Sequence, residues 1–251
     1  EGNLINFWNY PREEPILDFS QIVFPNKFEF GIRVWNDDYL SFKGFTIRNM
    51  LQNRLDSTII EAFEIQNSHH IYLENIKLHN IGGAGLLVHA CDEVYIKNCD
   101  AWECCDTLAK MPGNYGTGIG VGSRVDQDAR GLGMYDTHYY IEGCRAWSCG
   151  DQGFTQDGVG YHEWKNCWSF NNGRFTGEGW GIKLSIASAS NSTNPLSRVI
   201  KNCIFAVNAS SGINPNNVGG NNFNGIYHNN FIYYNGYKPW TPYYENSYIG
   251  C

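Results

Sequence analysis

Short alternations of apolar and polar residues recur along the chain at intervals of about two dozen residues. Four clear copies read EVYIKNCDAW (93–102), YYIEGCRAW (139–147), HEWKNCWSF (162–170) and RVIKNCIFA (198–206). Each copy places Asn or Gly before Cys and continues as an alternating strand. Strands this short bury an apolar face only when they stack coil on coil. The pattern predicts an all-β chain, a right-handed parallel β-helix of about seven to eight coils with inserted loops.

Three columns of residues define the predicted repeat. The Asn or Gly that precedes the second strand is expected to take a left-handed turn, with the Asn amides forming a ladder. These anchors are Gly44, Asn75, Asn98, Gly143, Asn166, Asn202 and Asn229. Four cysteines are expected in one inward column as small hydrophobic residues, rather than as bridges or nucleophiles. They are Cys99, Cys144, Cys167 and Cys203. A further strand in each coil presents an outward column of Arg33, Glu64, Leu87, Gly120, Thr155, Lys183 and Asn214.

No linker divides the chain, so residues 1–251 are expected to form one β-helix domain. An α/β fold is disfavoured because no amphipathic helical stretch of useful length occurs. A β-sandwich also fits short strands, but it does not repeat the same residue types in fixed columns. Residues 3–19 resemble a coil that is already under way, so we expect no N-terminal capping helix.

Charge and hydropathy exclude two classes of partner. The formal net charge of −7 disfavours nucleic acid, because phosphates would be repelled. No run of about 18 apolar residues is present, so no membrane span is expected. The nine cysteines do not have the spacing of a zinc site.

Inserted loops in a solenoid usually line its binding face. The insertions at 103–116, 122–137, 174–180 and 186–196 lie on adjacent coils, so they are expected to wall one groove. Within it, Lys183 lies on a strand between Thr155 and Asn214 and is a candidate base, the alternative being a solvated surface lysine. Asp106, Asp151 and Asp157 are candidate Ca²⁺ ligands or ordinary turn aspartates.

A long segment of the chain carries a family resemblance. The run CRAWSCGDQGFTQDGVGYHEWKNCWSFNNG (144–173), followed by GEGWGIKL (177–184), resembles the family 9 polysaccharide lyases, which are pectate lyases with a right-handed β-helix. The opening NFWNYPREEPILDFS and the closing RVIKNCIFAVNASSGINPNN are similar to that family as well.

The resemblance implies β-elimination on a uronate polymer. A lysine removes the C5 proton, α to a carboxylate, and the C4 oxygen leaves, while Ca²⁺ neutralises the substrate carboxylate. Lys183 takes the position of the base, and its pKa must fall towards the working pH for that role.

The implied metal site departs from the family pattern. Where the family has Asp-Asp-Gly-aromatic-Asp, this chain has Asp151-Gln152-Gly153-Phe154-Thr155, and a further family aspartate aligns with Thr117. Fewer charges mean weaker Ca²⁺ binding. Three alternatives follow: a weak or shifted ion near Asp157 or Asp106, an arginine such as Arg174 or Arg124 in place of the metal, or a groove that only binds glycan.

The sequence and the resemblance together give one main hypothesis. The chain is expected to be a secreted, monomeric polysaccharide lyase acting on an acidic, pectic polysaccharide, outside the cell, in the periplasm or at the cell surface. The expected residues are Lys183 as the base; Asn214, Asn216, Arg174 and Asp157 as substrate contacts; and Asp151, Gln152 and Thr155 as Ca²⁺ ligands. The alternative is a non-catalytic glycan-binding β-helix, and inverting hydrolysis ranks last because no paired carboxylates are evident.

Overall fold

The strands of this protein form three parallel sheets that run along one solenoid. The computed structural model describes residues 3–24, 28–53, 59–123, 137–158, 160–173, 175, 177–184, 198–215 and 225–236. Within these residues every strand pairs in parallel with the equivalent strand of the coil before or after it. Among them no helix is long and apolar enough to cross a bilayer.

Each coil that the structure describes in full contributes one strand to each sheet. The first sheet contains, in spatial order, β1 (Ile5–Trp8), β4 (Leu40–Lys43), β7 (His69–Glu74), β10 (Asp92–Lys97), β13 (His138–Glu142), β16 (Tyr161–Lys165), β19 (Arg198–Lys201) and β22 (Gly225–His228). The second contains β2 (Ile16–Asp18), β5 (Thr46–Met50), β8 (Lys77–Ile81), β11 (Asp100–Cys104), β14 (Arg145–Trp147), β17 (Trp168–Phe170), β20 (Ile204–Ala206) and β23 (Phe231–Tyr233). The third contains β3 (Phe28–Trp35), β6 (Ile59–Gln66), β9 (Ala84–His89), β12 (Ile119–Ser123), β15 (Phe154–Gly158), β18 (Ile182–Leu184) and β21 (Ile213–Asn214). The predicted right-handed parallel β-helix of seven to eight coils is confirmed.

The core is a set of inward columns that continue from coil to coil. The predicted column of Cys99, Cys144, Cys167 and Cys203 is fully buried, and all four are free thiols. The sulfur of Cys144 accepts the Cys99 amide at 3.4 Å, and the sulfur of Cys203 accepts the Cys167 amide at the same distance. These thiols therefore pack as small hydrophobic groups that also accept main-chain hydrogen bonds.

The predicted left-handed turns are present at all seven anchor positions. Their φ angles are all positive, at Gly44, Asn75, Asn98, Gly143, Asn166, Asn202 and Asn229. Their side chains do not form the expected continuous ladder of amides. Asn229 donates to Asn202 at 2.9 Å, but Asn75 and Asn166 turn their amides towards carboxylates. The left-handed conformation directs these side chains into solvent at the corner of the coil, where acidic side chains compete for them.

A buried asparagine ladder lies at a different corner, between the second and third sheets. The Asn172 amide donates to Asn208 at 2.9 Å, and the Asn208 amide donates to Asn235 at 2.9 Å. The main-chain amides of Cys149 and Asn172 donate to the side-chain oxygens of Asn172 and Asn208, respectively. Because Asn172 and Asn208 are fully buried, the ladder satisfies main-chain groups of the corner that water does not reach.

Candidate functional site

The third sheet presents the predicted outward column in its predicted register. Gly120 pairs with Thr155, Thr155 with Lys183, and Lys183 with Asn214. On β18, Ile182 and Leu184 are buried in the core while Lys183 is partly exposed on the opposite face. Period-2 alternation therefore directs the lysine to the outside of the coil, and the parallel register places it between Thr155 and Asn214.

Lys183 is held by a carboxylate and an aromatic ring. Its Nζ lies 3.0 Å from Glu178 Oε2 and 4.7 Å from the centre of the Trp180 ring. Burial lowers the pKa of Lys183, but the charges of Glu178, Asp151 and Asp157 outweigh it, so the net shift is upward. In the absence of substrate the amine is therefore an ammonium ion, not the lowered-pKa base that the family resemblance implies.

Asp151 holds the loop that carries Glu178. Its Oδ1 accepts the Glu178 amide at 2.9 Å, and its main-chain carbonyl accepts the Gly179 amide at 2.7 Å. Only 6% of Asp151 is exposed. Burial, followed by the charge of Glu178, raises the pKa of Asp151 to about 8, although the nearby Lys183 opposes the shift. Asp151 is thus a structural acceptor that binds a proton at neutral pH.

The other predicted metal ligands form a neutral layer beside Asp151. Gln152 and Thr155 are both buried, as is Thr117. The Gln152 amide nitrogen donates to Thr117 Oγ1 at 3.1 Å, and Gln152 Oε1 is buried without a hydrogen-bond donor among the described residues. The donors that the resemblance implies therefore amount to one carboxyl group, one amide and two hydroxyls. This set does not fit Ca²⁺, which prefers several anionic oxygens.

Two further candidate acids lie near the site. Asp106 is fully buried, its Oδ1 accepts the Tyr115 amide at 3.0 Å, and burial raises its pKa to about 6. Asp157 is partly exposed on β15, opposite Gly122 of β12. Its charge helps to raise the pKa of Lys183, and it partly opposes the burial that lowers the pKa of Arg198 to about 10. Asp157 therefore adds negative potential near Lys183.

The structure describes only some of the remaining predicted residues. Asn214, the expected sugar contact, is 6% exposed on β21 beside Lys183. Arg174 and Asn216 lie outside the described residues, as do Arg124 and the 186–196 insertion. The insertion at 103–116 is described throughout.

Sequence reasoning missed Glu178, which is the closest charged partner of Lys183. The sequence signal that could have found Glu178 is its position between Gly177 and Gly179, since neither glycine can be replaced without a clash or backbone strain. A Cβ on Gly177 would collide with the Gly150 carbonyl oxygen, and Gly179 has a φ of +77°. Trp180 is only 2% exposed and packs against Lys183.

A separate group on the first sheet has potential metal-ligand geometry. Asp92, Glu93 and His138 each offer a ligand atom, and these atoms all lie within 4.8 Å of one another. His138 Nδ1 is 3.2 Å from Asp92 Oδ1, and the Glu93 carboxylate accepts the Tyr95 hydroxyl at 2.7 Å. Among the described residues no other such group is found, so Asp151 belongs to none.

Comparisons with known proteins agree on the fold. The family model described as "Pel9A-like, right handed beta helix region" matches residues 1–245. A search of curated protein sequences gives no significant match. Among solved structures, a rhamnogalacturonan lyase superposes with a TM-score of 0.70 and 24% identity, over 84% of this chain and 52% of its own. The pectate lyase Pel9A gives 0.59 and 24%, over 88% of this chain and 54% of its own.

A more distant structure has the same fold. The alginate lyase from Paenibacillus sp. str. FPU-7 gives a TM-score of 0.54 at 12% identity, over 83% of this chain and 75% of its own. This chain spans about half the length of the rhamnogalacturonan lyase and of Pel9A. Through the match of its whole repeat region, the chain belongs to the Pel9A-like family of right-handed β-helices.

Proposed function

We propose that this chain is a polysaccharide lyase that cleaves a uronate-containing, pectic glycan by β-elimination. The main support is the placement of Lys183: a lysine fixed on a sheet, with most of its side chain sheltered and inserted loops beside it. The reaction class is supported by the three solved structures that share the fold, a rhamnogalacturonan lyase, a pectate lyase and an alginate lyase.

In the proposed reaction Lys183 acts as the base. The neutral amine takes the C5 proton of a uronate residue, and the C–H electron pair forms a double bond between C4 and C5. The C4–oxygen bond breaks, and the leaving oxygen takes a proton from water. Lys183 must first lose its own proton, so its ion pair with Glu178 must open before the reaction.

The other predicted residues retain supporting roles in this proposal. Asn214 and Asn216 contact sugar hydroxyls, Asp157 contacts the substrate from β15, and Arg174 neutralises the uronate carboxylate. The proposed reaction does not use Ca²⁺, because Asp151, Gln152 and Thr155 offer a single carboxyl group where the ion prefers several anionic oxygens. We further propose one domain over residues 1–251, a monomer, and an extracellular, periplasmic or cell-surface location in contact with the polymer.

The second candidate function is glycan binding without catalysis. One observation favours it: the carboxylates around Lys183 keep the amine protonated, and a protonated lysine binds a uronate carboxylate well but removes no proton. The two functions therefore differ in whether Lys183 releases its proton when substrate is bound.

Elimination leaves an unsaturated uronate that absorbs ultraviolet light, and hydrolysis leaves no such product. The assay uses polygalacturonate and rhamnogalacturonan, with wild type, Lys183→Ala and the control Lys201→Ala, whose lysine pairs with Glu163 on the first sheet. A base contributes about 100- to 10,000-fold, so Lys183→Ala should lose that factor while the control keeps its rate. Binding of these polymers by wild type without any absorbance change would instead establish the glycan-binding function.

A further inference from the structure

Three potential metal ligands meet on the first sheet, where two neighbouring coils pair. Asp92 and Glu93 are the first residues of β10, and His138 is the first residue of β13, which pairs with β10 in parallel. Successive side chains of a regular strand point to opposite faces. Glu93 departs from that alternation, since its φ is +51°, and its carboxylate lies close to that of Asp92 and to the His138 ring.

The distances among these three side chains are close to those within the coordination sphere of a metal. His138 Nδ1 lies 3.2 Å from Asp92 Oδ1 and 3.9 Å from Glu93 Oε1, and the three ligand atoms all lie within 4.8 Å of one another. Zinc bonds of about 2.0–2.2 Å at tetrahedral angles place ligand atoms about 3.3–3.6 Å apart. A small movement of the Glu93 side chain, which is 34% exposed, therefore completes that geometry.

Each carboxylate is already oriented by a hydrogen bond. Asp92 Oδ1 accepts the main-chain amide of His138 at 2.8 Å, and Glu93 Oε2 accepts the Tyr95 hydroxyl at 2.7 Å. Tyr95 is itself stacked between tyrosines of the two adjacent coils. Partners of this kind orient the ligands of metal sites, and here the Tyr95 hydroxyl leaves Glu93 Oε1 free to face His138.

No lysine or arginine balances the charge of this group. Every other described carboxylate on a strand of the first sheet pairs with a lysine of an adjacent coil, as Glu163 does with Lys201. Among the described residues, the ion-pair partner of Asp92 and Glu93 is His138 alone. Two carboxylates and one imidazole carry a net negative charge whether His138 is neutral or protonated. A divalent cation between them would remove that charge.

We propose that Asp92, Glu93 and His138 form a binding site for a divalent transition metal of the zinc class. One imidazole nitrogen and two carboxylate oxygens suit zinc, whereas Ca²⁺ takes oxygen ligands only. Water completes the coordination, since all three side chains are partly exposed. The ion links β10 to β13, the strands of the first sheet on either side of the insertion at 122–137, and so stabilises the contact between two coils. This site lies on a different sheet from Lys183 and does not depend on the proposed function.

The test is calorimetric titration of chelator-treated protein with ZnCl₂ and, separately, with CaCl₂. Wild type should bind Zn²⁺ more tightly than Ca²⁺ and should melt at a higher temperature when Zn²⁺ is present. Asp92→Asn keeps an acceptor for the His138 amide, and His138→Gln changes a partly exposed side chain, so both variants should fold. Each should bind Zn²⁺ at least about tenfold more weakly, because losing an outer partner of a ligand already costs about 10- to 100-fold. His79→Gln, on the second sheet, is the matched control and should bind Zn²⁺ as wild type does.

A titration with Co²⁺ separates this group from the buried cysteines. Co²⁺ on nitrogen and oxygen ligands gives only weak visible bands, whereas thiolate ligands add strong near-ultraviolet absorbance. Weak visible bands that His138→Gln removes would support the proposal. It would be overturned if wild type binds no Zn²⁺, if both ligand variants bind Zn²⁺ as tightly as wild type, or if the only Co²⁺ signal is that of thiolates. His138 would then serve only as the ion-pair partner of Asp92.

Discussion

The buried asparagine ladder gives a prediction whose magnitude follows from its hydrogen bonds. Asn208 Oδ1 accepts the main-chain amide of Asn172 at 3.2 Å and its side-chain amide at 2.9 Å. Asn208 Nδ2 donates to the Ser169 carbonyl at 3.1 Å and to Asn235 at 2.9 Å. In Asn208→Ala the Asn172 side chain keeps its bond to the Ser169 hydroxyl. The main-chain amide of Asn172 and the main-chain carbonyl of Ser169 stay buried and lose the hydrogen bonds that Asn208 made to them.

An unsatisfied buried polar group costs about 1–3 kcal/mol, so Asn208→Ala should lower the free energy of unfolding by about 2–5 kcal/mol. The matched control is Asn202→Gly in the same coil. Asn202 is exposed at a φ of +54°, which glycine adopts readily, and it accepts one exposed bond from Asn229. This control should cost less than about 1 kcal/mol.

Urea unfolding of both variants and wild type, followed by circular dichroism, measures the two differences. Equal costs for Asn208→Ala and Asn202→Gly would refute the reasoning, because buried and exposed amides would then contribute alike. The ladder also reaches the site: Ser210, two residues after Asn208, holds the backbone of Glu178. Asn208→Ala should therefore weaken substrate binding as well as stability.

Two further predictions concern protonation at the site. The pKa of Asp151 is about 8 in the folded chain against an ordinary value of 3.8, so the native state binds an extra proton between these values and loses stability as pH rises from 3.8 to 8. Asp151→Asn cannot ionise, so its stability relative to wild type should increase over this pH range, which urea unfolding below and above the range will measure. A difference in stability that does not change with pH would contradict the raised pKa. Because Glu178 raises the pKa of Lys183, the rise of lyase activity with pH should occur at lower pH in Glu178→Gln than in wild type. At a fixed pH below the pKa, the fraction of neutral Lys183 amine grows about tenfold for each unit by which its pKa falls. If Glu178→Gln leaves the pH profile as unchanged as the control Glu163→Gln does, Glu178 does not set the protonation of Lys183.

The columns could be predicted from sequence because a parallel β-helix repeats one geometry. Strand alternation and coil spacing are enough to align Thr155, Lys183 and Asn214, and the structure keeps that alignment. The left-handed anchors followed from residue chemistry alone, since Asn and Gly tolerate positive φ at little cost. Both rules need only the type of a residue and its position in the repeat.

The parts that sequence could not supply depend on contacts between coils. Glu178 is in an inserted loop whose path is set by Asp151 on one side and Ser210 on the other, and no repeat position encodes that path. The hydrogen-bond partner of an Asn side chain also depends on burial. Asn208 bonds to other asparagines at the buried corner of the coil, whereas Asn166 bonds to Glu142 at the solvent-exposed corner. Residue type alone does not distinguish these two environments.

The charge balance at Lys183 limits which form of the lyase hypothesis is physically consistent. The carboxylates of Glu178 and Asp157, joined by Asp151 once that group ionises, outweigh burial and raise the pKa of the amine. An incoming uronate adds another negative charge, which raises the pKa of Lys183 further if it enters alone. The amine becomes a base only if positive charge accompanies the substrate or if Glu178 moves away. Because Asp151, Gln152 and Thr155 do not fit Ca²⁺, a cationic side chain such as Arg174 is the better candidate for that charge. Under the lyase hypothesis, Lys183 therefore needs either an accompanying positive charge or a displaced Glu178, and with neither it would only bind the polymer.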